Sequence, residues 1–252
     1  MKLIASIAAA AMTVLAASQA QSQEIKVGST STGIPFTFLD TKTNTIQGVM
    51  VDLVQAVSEK AGLKATITTT DWPSLIPSLN SNKIDVISAA MAITGPRKEV
   101  IAFADPIFSY SSSLAVRPGN PKNLKQIADM KTATLGGQIG TAWLVNARAA
   151  GINDIKTYAS VSDIIRDLHL GRIDAAIVDA PQADYLLKQN PDFRIEFVPE
   201  YKHFEENDFS LGVRKADTAL LEKLNAGIKA IKADGTLAKI IQKWELRLKP
   251  AS

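Results

Sequence analysis

The chain has 252 residues, of which 46% are hydrophobic and 21% charged, and its formal net charge is +3. This composition excludes a disordered or collagen-like chain, because the apolar share is large enough to bury a core. The sequence has no Cys, and its two His, His169 and His203, lie far apart in the chain. We therefore expect no disulfide, no thiolate or imidazole metal site and no cofactor.

Residues 1–20 have the pattern of a secretory signal peptide. Lys2 gives a positive start, residues 3–17 are almost wholly apolar, and Ser18 and Ala20 supply the small side chains of a cleavage site. A membrane anchor is the alternative, but it needs about twenty continuous apolar residues. Polar residues interrupt this stretch from Gln19 onwards, and no Cys follows that would carry a lipid. The sequence therefore predicts a soluble, exported protein without a lipid anchor.

Basic residues are interleaved with acidic ones along the helical patterns, as at Glu222 and Lys223. This arrangement is typical of a solvated surface rather than of a nucleic-acid-binding face. We expect no nucleic-acid partner.

Strand-like and helix-like segments alternate through most of the chain, which predicts an α/β fold with largely parallel sheets. In the first half, strands are predicted over residues 24–28, 64–70 and 84–89, and helices over residues 48–61 and 72–80. Gly62 ends the first helix. Asp71 is the expected N-cap of the second helix, and Pro73 lies in its first turn.

The second half repeats this order. Strands are predicted over residues 132–136, 155–159, 173–178 and 193–199, and helices over residues 141–150, 162–170 and, as a broken pair, 216–248. Residues 75–88 and 164–178 share one pattern: a helix, a polar or small stop, a basic residue, Ile-Asp and a buried strand. This internal similarity predicts two α/β lobes.

The Ser-rich segment 108–113 lacks a hydrophobic pattern, and we predict that it crosses between the lobes, with a return crossing near residues 204–211. One lobe then comprises residues 21–109 and 209–252, and the other residues 110–208. Two crossings produce a cleft with a hinge, and ligands of open α/β sheets bind beyond the carboxyl ends of strands. Functional residues are therefore expected after the strands over 84–89 and 173–178.

Arg97 follows the first of these strands, next to Pro96 in a short helix that Thr94 or Gly95 would cap. A cation at the positive end of a helix is disfavoured by about 0.3–1 kcal/mol. Either an anionic partner compensates for this cost, or the side chain extends into water, as most exposed Arg side chains do. Because its guanidinium can bond both oxygens of a carboxylate, Arg97 is a candidate ligand-binding residue.

Asp179 ends the apolar run of the second strand. One interpretation is an N-cap for a helix that begins near Ala180. The other is a carboxylate that faces the cleft and accepts hydrogen bonds from an ammonium group. An Arg from one lobe and an Asp from the other would together bind both charged ends of an amino acid.

The remaining motifs are each open to two interpretations. Residues 136–141 form either a plain tight turn or a turn whose N–H groups bind an anion at a helix start, but they lack a P-loop or dinucleotide pattern. Trp72 and Trp143 either stack on a ligand or pack in the core. His169 and His203 have no nucleophile pattern nearby, so catalysis by a serine- or zinc-hydrolase route is not predicted.

Motifs along the whole exported part of the chain resemble, in the same order, a known family: the polar amino-acid-binding proteins of bacterial ABC importers, or family 3 periplasmic solute-binding proteins. The motifs are GVMVDL (48–53), LIPSL (75–79), KID (83–85), IT (93–94) with Arg97, FADP (103–106), QIGT (138–141), GRIDA (171–175) with Asp179, and IKADGT (231–236) with Lys243 and Trp244.

The resemblance implies a two-lobed type II periplasmic-binding-protein fold, with two α/β sheets joined by a two-segment hinge. It further implies a periplasmic monomer that closes on an amino acid and delivers it to an inner-membrane ABC permease. By this resemblance Arg97 binds the α-carboxylate with help from the backbone of Ala92 and Ala142, and Asp179 binds the α-ammonium with the backbone of Ala90. Trp72 would cover the ligand's side chain, and Thr141 and Gly33 complete the expected site.

Some positions depart from the family pattern. Gly33 stands where an aromatic residue is common, and Ala occupies positions 89, 90, 92 and 142, where hydroxyl or Gly residues are common. Thr30 and Thr32 offer no carboxylate. A neutral or bulky ligand with an amino-acid head group therefore fits better than a long cationic one, and the space beside Gly33 is expected to be open to it.

Two other functions remain as alternatives. The same fold hosts exported enzymes similar to cyclohexadienyl dehydratase, although the matched pocket positions here have no His, Glu or Lys. A sensory module that binds the same solute for a receptor is not distinguished from a transport protein by the sequence.

Overall fold

The structure is a computed structural model that describes residues 22–201, 206–246 and 248–251. The predicted signal peptide, His203 and part of the predicted return crossing lie outside these residues. The elements in chain order are β1 (Gln23–Ser29), β2 (Thr32–Gly33), β3 (Thr37–Asp40), β4 (Thr45–Gln47), α1 (Val49–Lys60), β5 (Leu63–Thr69), a 3₁₀ turn (Trp72–Ser74), α2 (Leu75–Asn80), β6 (Val86–Ala92), α3 (Gly95–Lys98), β7 (Ala102–Phe103), β8 (Phe108–Tyr110), β9 (Ser112–Val116), a 3₁₀ helix (Ile127–Thr132), β10 (Leu135–Gln138), α4 (Ala142–Ala149), β11 (Ile155–Tyr158), α5 (Val161–His169), β12 (Ala175–Asp179), α6 (Ala180–Gln189), β13 (Glu196–Phe197), β14 (Asn207–Val213), α7 (Thr218–Ala233), α8 (Thr236–Lys243) and β15 (Lys249–Pro250).

The larger sheet has seven strands in the order β15-β8-β14-β6-β1-β5, with β7 also paired to β14. Strand β1 is parallel to β5 and β6, whereas β14 is antiparallel to β6 and β8. Every residue of β6 is buried. Its even-numbered apolar residues join the cluster that holds α1 and α7, and its odd-numbered ones join the cluster that holds α2. Helices thus cover both faces, which is why β6 is apolar except for Ser88, whose hydroxyl donates to the carbonyl oxygen of Met50.

The smaller principal sheet has five strands in the order β11-β10-β12-β9-β13. Strand β12 lies in its centre, parallel to β10 and antiparallel to β9. Ala176 and Val178 pack with α5 and α6, while Ala175 and Ile177 face the other side. Both β6 and β12 are therefore core strands whose carboxyl ends are fixed in position by packing on two faces.

A stack of four aromatic rings lies where the chain passes between the two sheets. Tyr110 at the end of β8 stacks on Phe209 of β14, with 3.7 Å between the ring centroids, and Phe36 and Phe108 extend the stack. Residues 108–113 do connect the larger sheet to the smaller one, but the expectation that they lack a hydrophobic pattern is wrong. Because Phe108 and Tyr110 alternate with Ser109, the segment forms a strand, and only Ser111 separates β8 from β9.

Most of the predicted elements are present, with differences at their ends. Strand β6 runs from Val86 to Ala92 rather than over 84–89, and β10 begins at Leu135 because a 3₁₀ helix occupies residues 127–132. The three-stranded sheet β2-β3-β4 was not predicted, since its strands are short and largely half-buried or exposed. Gly62, Gly151 and Gly171 adopt the positive φ angles expected of helix stops. Within the described part of the chain, no helix has the length and apolar character needed to cross a lipid bilayer.

Candidate functional site

A cavity lies between the two principal sheets. Its lining includes all the residues that the sequence analysis proposed as ligand-binding: Gly33, Trp72, Ala90, Ala92, Arg97, Thr141, Ala142 and Asp179. It also includes Trp143, for which the sequence left ligand stacking open, and Thr30, Ala89 and Gln138, which were considered without being assigned to the ligand. Phe36, Gln182 and Phe209 complete the lining and were not proposed. Residues far apart in sequence thus meet at the carboxyl ends of β6, β10 and β12.

Arg97 reaches the cavity from α3, directly after β6. Its Nη1 donates to the carbonyl oxygen of Ala92 at 2.9 Å, and its Nη2 donates to the carbonyl oxygen of Gly140 at 3.2 Å. The guanidinium also lies over the Trp72 ring, 5.5 Å from its centroid. Because a guanidinium carries five N–H donors, these two bonds leave donors for a ligand carboxylate. The side chain is therefore fixed in place by both sheets, and the interpretation of Arg97 as a freely solvated surface residue does not hold.

Asp179 ends β12 on the opposite side of the cavity. Its carboxylate accepts a hydrogen bond from Trp143 Nε1 on Oδ1 and one from the Tyr110 hydroxyl, 3.3 Å away, on Oδ2. Although Asp179 occupies the N-cap position of α6, its side chain makes no capping hydrogen bond. The capping interpretation is therefore not supported, and the carboxylate is instead oriented towards the cavity by two neutral donors.

Burial dominates the electrostatics of these groups. It raises the pKa of Asp179 to about 6, although the bonds from Trp143 and Tyr110 and the charge of Arg97 act in the opposite direction. Burial lowers the pKa of Arg97 to about 10, and the charge of Asp179 partly offsets this. The pKa of the Tyr110 hydroxyl lies well above its ordinary value, first because of burial and then because of Asp179. Arg97 and Asp179 thus influence each other across the cavity without being hydrogen-bond partners.

The backbone of β6 is irregular where it lines the cavity. Ala90 has φ of 51°, a left-handed conformation that is uncommon for a residue with a Cβ. The pairing of β14 with β6 shifts register between Ser210 and Gly212, so residues 88–90 have no partner on β14 in the described chain. Of these residues, Ser88 has its carbonyl oxygen bonded by the Ser29 hydroxyl instead of by β14. Backbone strain of the kind at Ala90 is found where surrounding packing holds a functional geometry.

The segment after β10 contributes a turn and a helix start. Gly140 has φ of 77°, and a Cβ there would lie 3.2 Å from Trp72 Nε1, so the turn closely approaches the residues of the larger sheet. Thr141 caps α4, since its hydroxyl oxygen accepts a bond from the N–H of Leu144. Both features position the first N–H groups of α4, which carry the helix's positive dipole end, beside Arg97.

The space expected beside Gly33 is filled by the protein. A Cβ on Gly33 would lie 2.9 Å from Thr30 Oγ1 and 3.3 Å from the carbonyl oxygen of Thr37. The two threonine hydroxyls are themselves hydrogen-bonded at 2.7 Å. The absence of a side chain at position 33 therefore allows the backbone to approach these threonines closely and does not leave an open pocket for ligand.

Gln182 is the residue of the site that sequence reasoning missed although a signal was present. It lies three residues after Asp179, and residues at this spacing share one side of a helix. Phe36, Tyr110 and Phe209 had no comparable signal, because their partners are distant in sequence. Among the described residues, no cluster of His, Cys, Asp or Glu is arranged to hold a metal ion.

Comparisons with known proteins agree with this geometry. The profile of the bacterial extracellular solute-binding proteins, family 3, matches residues 25–247. The lysine/arginine/ornithine-binding periplasmic protein of Escherichia coli (strain K12) is 30% identical over 230 residues, covering 88% of this chain and 87% of that protein.

Two solved structures are also similar to this chain. An ancestral arginine-binding protein bound to arginine has a TM-score of 0.82 at 32% identity, covering 89% of this chain and 99% of that one. An ancestral amino acid-binding protein described as a precursor of cyclohexadienyl dehydratase has a TM-score of 0.78 at 27% identity, covering 88% of this chain and 94% of that one. The predicted fold class is confirmed: the chain belongs to the bacterial extracellular solute-binding proteins of family 3 and has their two-lobed type II periplasmic binding fold.

Proposed function

We propose that the protein captures an amino acid or an amino-acid-like zwitterion between its two lobes and delivers it to an inner-membrane ABC permease. The observation that carries this proposal is the pairing of Arg97 and Asp179 in one cavity, each supplied by a different sheet and each already oriented by neighbours. The names of the relatives, which refer to amino-acid binding and to the periplasm, support the same function.

The charges account for both affinity and closure. The ligand's carboxylate pairs with the free N–H donors of Arg97, and its ammonium pairs with Asp179. Hydrogen bonds to charged groups are worth about 1.5–3 kcal/mol each. Because Arg97 follows a strand of the larger sheet and Asp179 ends a strand of the smaller one, only a conformation in which the lobes have closed satisfies both ends of the ligand, so binding shifts the protein towards that conformation.

The lobe boundaries are part of this proposal: residues 21–109 and 209–252 form one lobe, and residues 110–208 form the other. Sheet membership supports them to within two residues, since β8 ends at Tyr110 and β14 begins at Asn207, both in the larger sheet, while β9 to β13 form the smaller one. We further propose that the protein acts in the periplasm as a monomer without a lipid anchor.

We propose binding without catalysis. Among the described residues that line the cavity, the titratable acids and bases are Arg97 and Asp179, and both are assigned to the head group of the ligand. A dehydratase needs a further general acid or base near the reacting atoms. The similarity to a dehydratase precursor does not alter this, because that protein is itself described as amino acid-binding.

Isothermal titration calorimetry of the exported chain with a panel of L-amino acids tests the proposal. Arg97→Ala should abolish binding, whereas Lys98→Ala, an exposed neighbour on α3, should leave the affinity of the wild type unchanged. Retention of wild-type affinity by Arg97→Ala would refute the assigned role. Turnover of prephenate by the wild type, with no amino acid bound, would favour the enzyme alternative.

A further inference from the structure

Gln182 contacts both lobes at the edge of the cavity. It lies in the first turn of α6 and is 4% exposed. Its Nε2 donates to the carbonyl oxygen of Ile34, 3.3 Å away, in the segment between β2 and β3. Ile34 in turn packs against the apolar cluster of α5 and α6. Gln182 is thus held in one orientation by a residue from the other side of the cleft.

This orientation leaves one acceptor unused. Since Nε2 is the donor to Ile34, the amide oxygen Oε1 is the remaining polar atom of the side chain. Among the residues the structure describes, none donates a hydrogen bond to it. Because Gln182 as a whole is 4% exposed and lines the cavity, its amide oxygen has little access to bulk water, and a ligand's side chain in the cavity could donate a hydrogen bond to it.

The other uncharged polar side chains of the cavity lining each make a bond within the protein, although Gln138, which is half-buried, also has no donor to its Oε1 among the described residues. Thr30 is bonded to Thr37, Gln138 Nε2 donates to the carbonyl oxygen of Ala159, and Thr141 donates to the carbonyl oxygen of Gln138. The rest of the lining consists largely of Ala residues and aromatic rings. The ligand's side chain therefore meets an apolar wall and two amide oxygens, that of the buried Gln182 and that of the half-buried Gln138.

Among the described residues, the cavity lining also has no charged side chain left to pair with a charge on the ligand's side chain. Among the described lining residues, Asp179 is the one carboxylate, and the ligand's ammonium group requires it. Arg97 is the one cation, and the ligand's carboxylate requires it. A second positive charge on the ligand's side chain would be desolvated without a counter-charge, which is costly. The same holds for a second negative charge.

We propose that Gln182 determines specificity at this site, so that the protein selects amino acids with an uncharged side chain and discriminates against arginine and lysine. This inference rests on the proposed function and extends it to the chemical class of the ligand. It separates this chain from the relatives whose names refer to lysine and arginine. A glutamate at position 182 would have the same shape and would supply the missing counter-charge.

Calorimetry at pH 8 with glutamine, leucine, arginine, lysine and glutamate tests the proposal. We expect the wild type to bind glutamine or leucine at least about 100-fold more tightly than arginine or lysine, because an unpaired buried charge costs several kcal/mol. Gln182→Glu should raise the affinity for arginine or lysine relative to glutamine by about 10-fold or more. Gln189→Glu makes the same charge change at an exposed position on α6 and should leave the preference unchanged.

Gln182→Met keeps the volume of the side chain without Oε1, and it tests the role of that atom if Gln182→Glu does not fold. It should weaken glutamine binding more than leucine binding. Equal wild-type affinities for arginine and for the neutral ligands would overturn the specificity proposal while leaving amino-acid binding intact. A folded wild type that binds none of the panel would instead contradict the proposed function itself. A Gln182→Glu variant that folds and keeps the wild-type preference would show that another residue determines it.

Discussion

Replacing Asp179 by Asn should stabilise the unliganded protein and, at the same time, remove its affinity for ligand. The carboxyl group has a pKa of about 6 in the folded protein and 3.8 as its ordinary value. At about 1.4 kcal/mol per pKa unit, this rise corresponds to about 3 kcal/mol of stability that the folded protein loses by holding the carboxylate ionised. An amide keeps a similar shape and still accepts from Trp143, but it carries no charge.

The pH dependence has a definite sign. Below about pH 3 the carboxyl group is neutral in both the folded and the unfolded chain, so its titration contributes no difference, and at pH 4 the difference is still small. As the pH rises towards 6, the unfolded chain ionises first and the wild type loses stability relative to Asp179→Asn. Above pH 6 the difference in the free energy of unfolding between Asp179→Asn and the wild type reaches its full value. For a chain of this size, about 3 kcal/mol corresponds to a Tm of the variant that is about 6–12 °C higher.

Thermal unfolding at pH 4 and pH 7.5, with and without ligand, measures both effects. Ligand at 100 times its Kd should stabilise the wild type by about 2.7 kcal/mol and the variant hardly at all. Asp167→Asn is the matched control: hydrogen bonds from Lys156 and Tyr158 hold the pKa of Asp167 down at about 2, so this variant should lose stability at pH 7.5. A Tm of Asp179→Asn below that of the wild type at pH 7.5 without ligand would refute the reasoning.

Three further outcomes are expected. The Kd of the wild type for a neutral amino acid should be constant above pH 7 and rise about tenfold per pH unit below pH 6, since the ammonium needs an ionised Asp179; a flat calorimetric profile from pH 5 to 8 would contradict this. Trp143→Phe removes a donor to the carboxylate and should move that midpoint upward by about one pH unit; an unchanged midpoint would exclude Trp143 from orienting Asp179. Gly227→Ala should lower the free energy of unfolding by about 1–3 kcal/mol, because its Cβ would clash with the Val57 carbonyl where α7 packs on α1. The control is Gly95→Ala, whose Cβ would meet open space. Equal urea midpoints for these two variants would contradict this packing.

The sequence was sufficient to predict the parts of the site that follow directly from local patterns. Arg97 and Asp179 each come after an apolar strand, and the carboxyl end of a buried strand is where α/β proteins bind ligands. Gly140 and Thr141 are a turn residue and a helix cap, both of which have local signals. These positions were predictable because strand, turn and cap chemistry depend on neighbours within a few residues.

The rest of the site depends on contacts between distant residues. Tyr110 bonds Asp179 across 69 positions, and Gln182 bonds Ile34 across 148, so no local pattern relates them. The left-handed backbone of Ala90 contradicts the local preference of alanine, and the surrounding sheet imposes it. The strand at residues 108–110 was missed because the serines at 109 and 111–113 resemble a loop, while the aromatic stack that stabilises the alternation of Phe108 and Tyr110 is tertiary.

The hydrogen bond between Trp143 and Asp179 has a practical consequence. An indole whose N–H is bonded to a carboxylate responds to any cation that approaches that carboxylate. Of the three tryptophans in the sequence, Trp72 and Trp143 line the cavity, while Trp244 is bonded to Asp52. Ligand binding in the cleft should therefore change the tryptophan emission spectrum of the unlabelled protein. Stopped-flow fluorescence would then measure the rates of ligand binding and release without a dye.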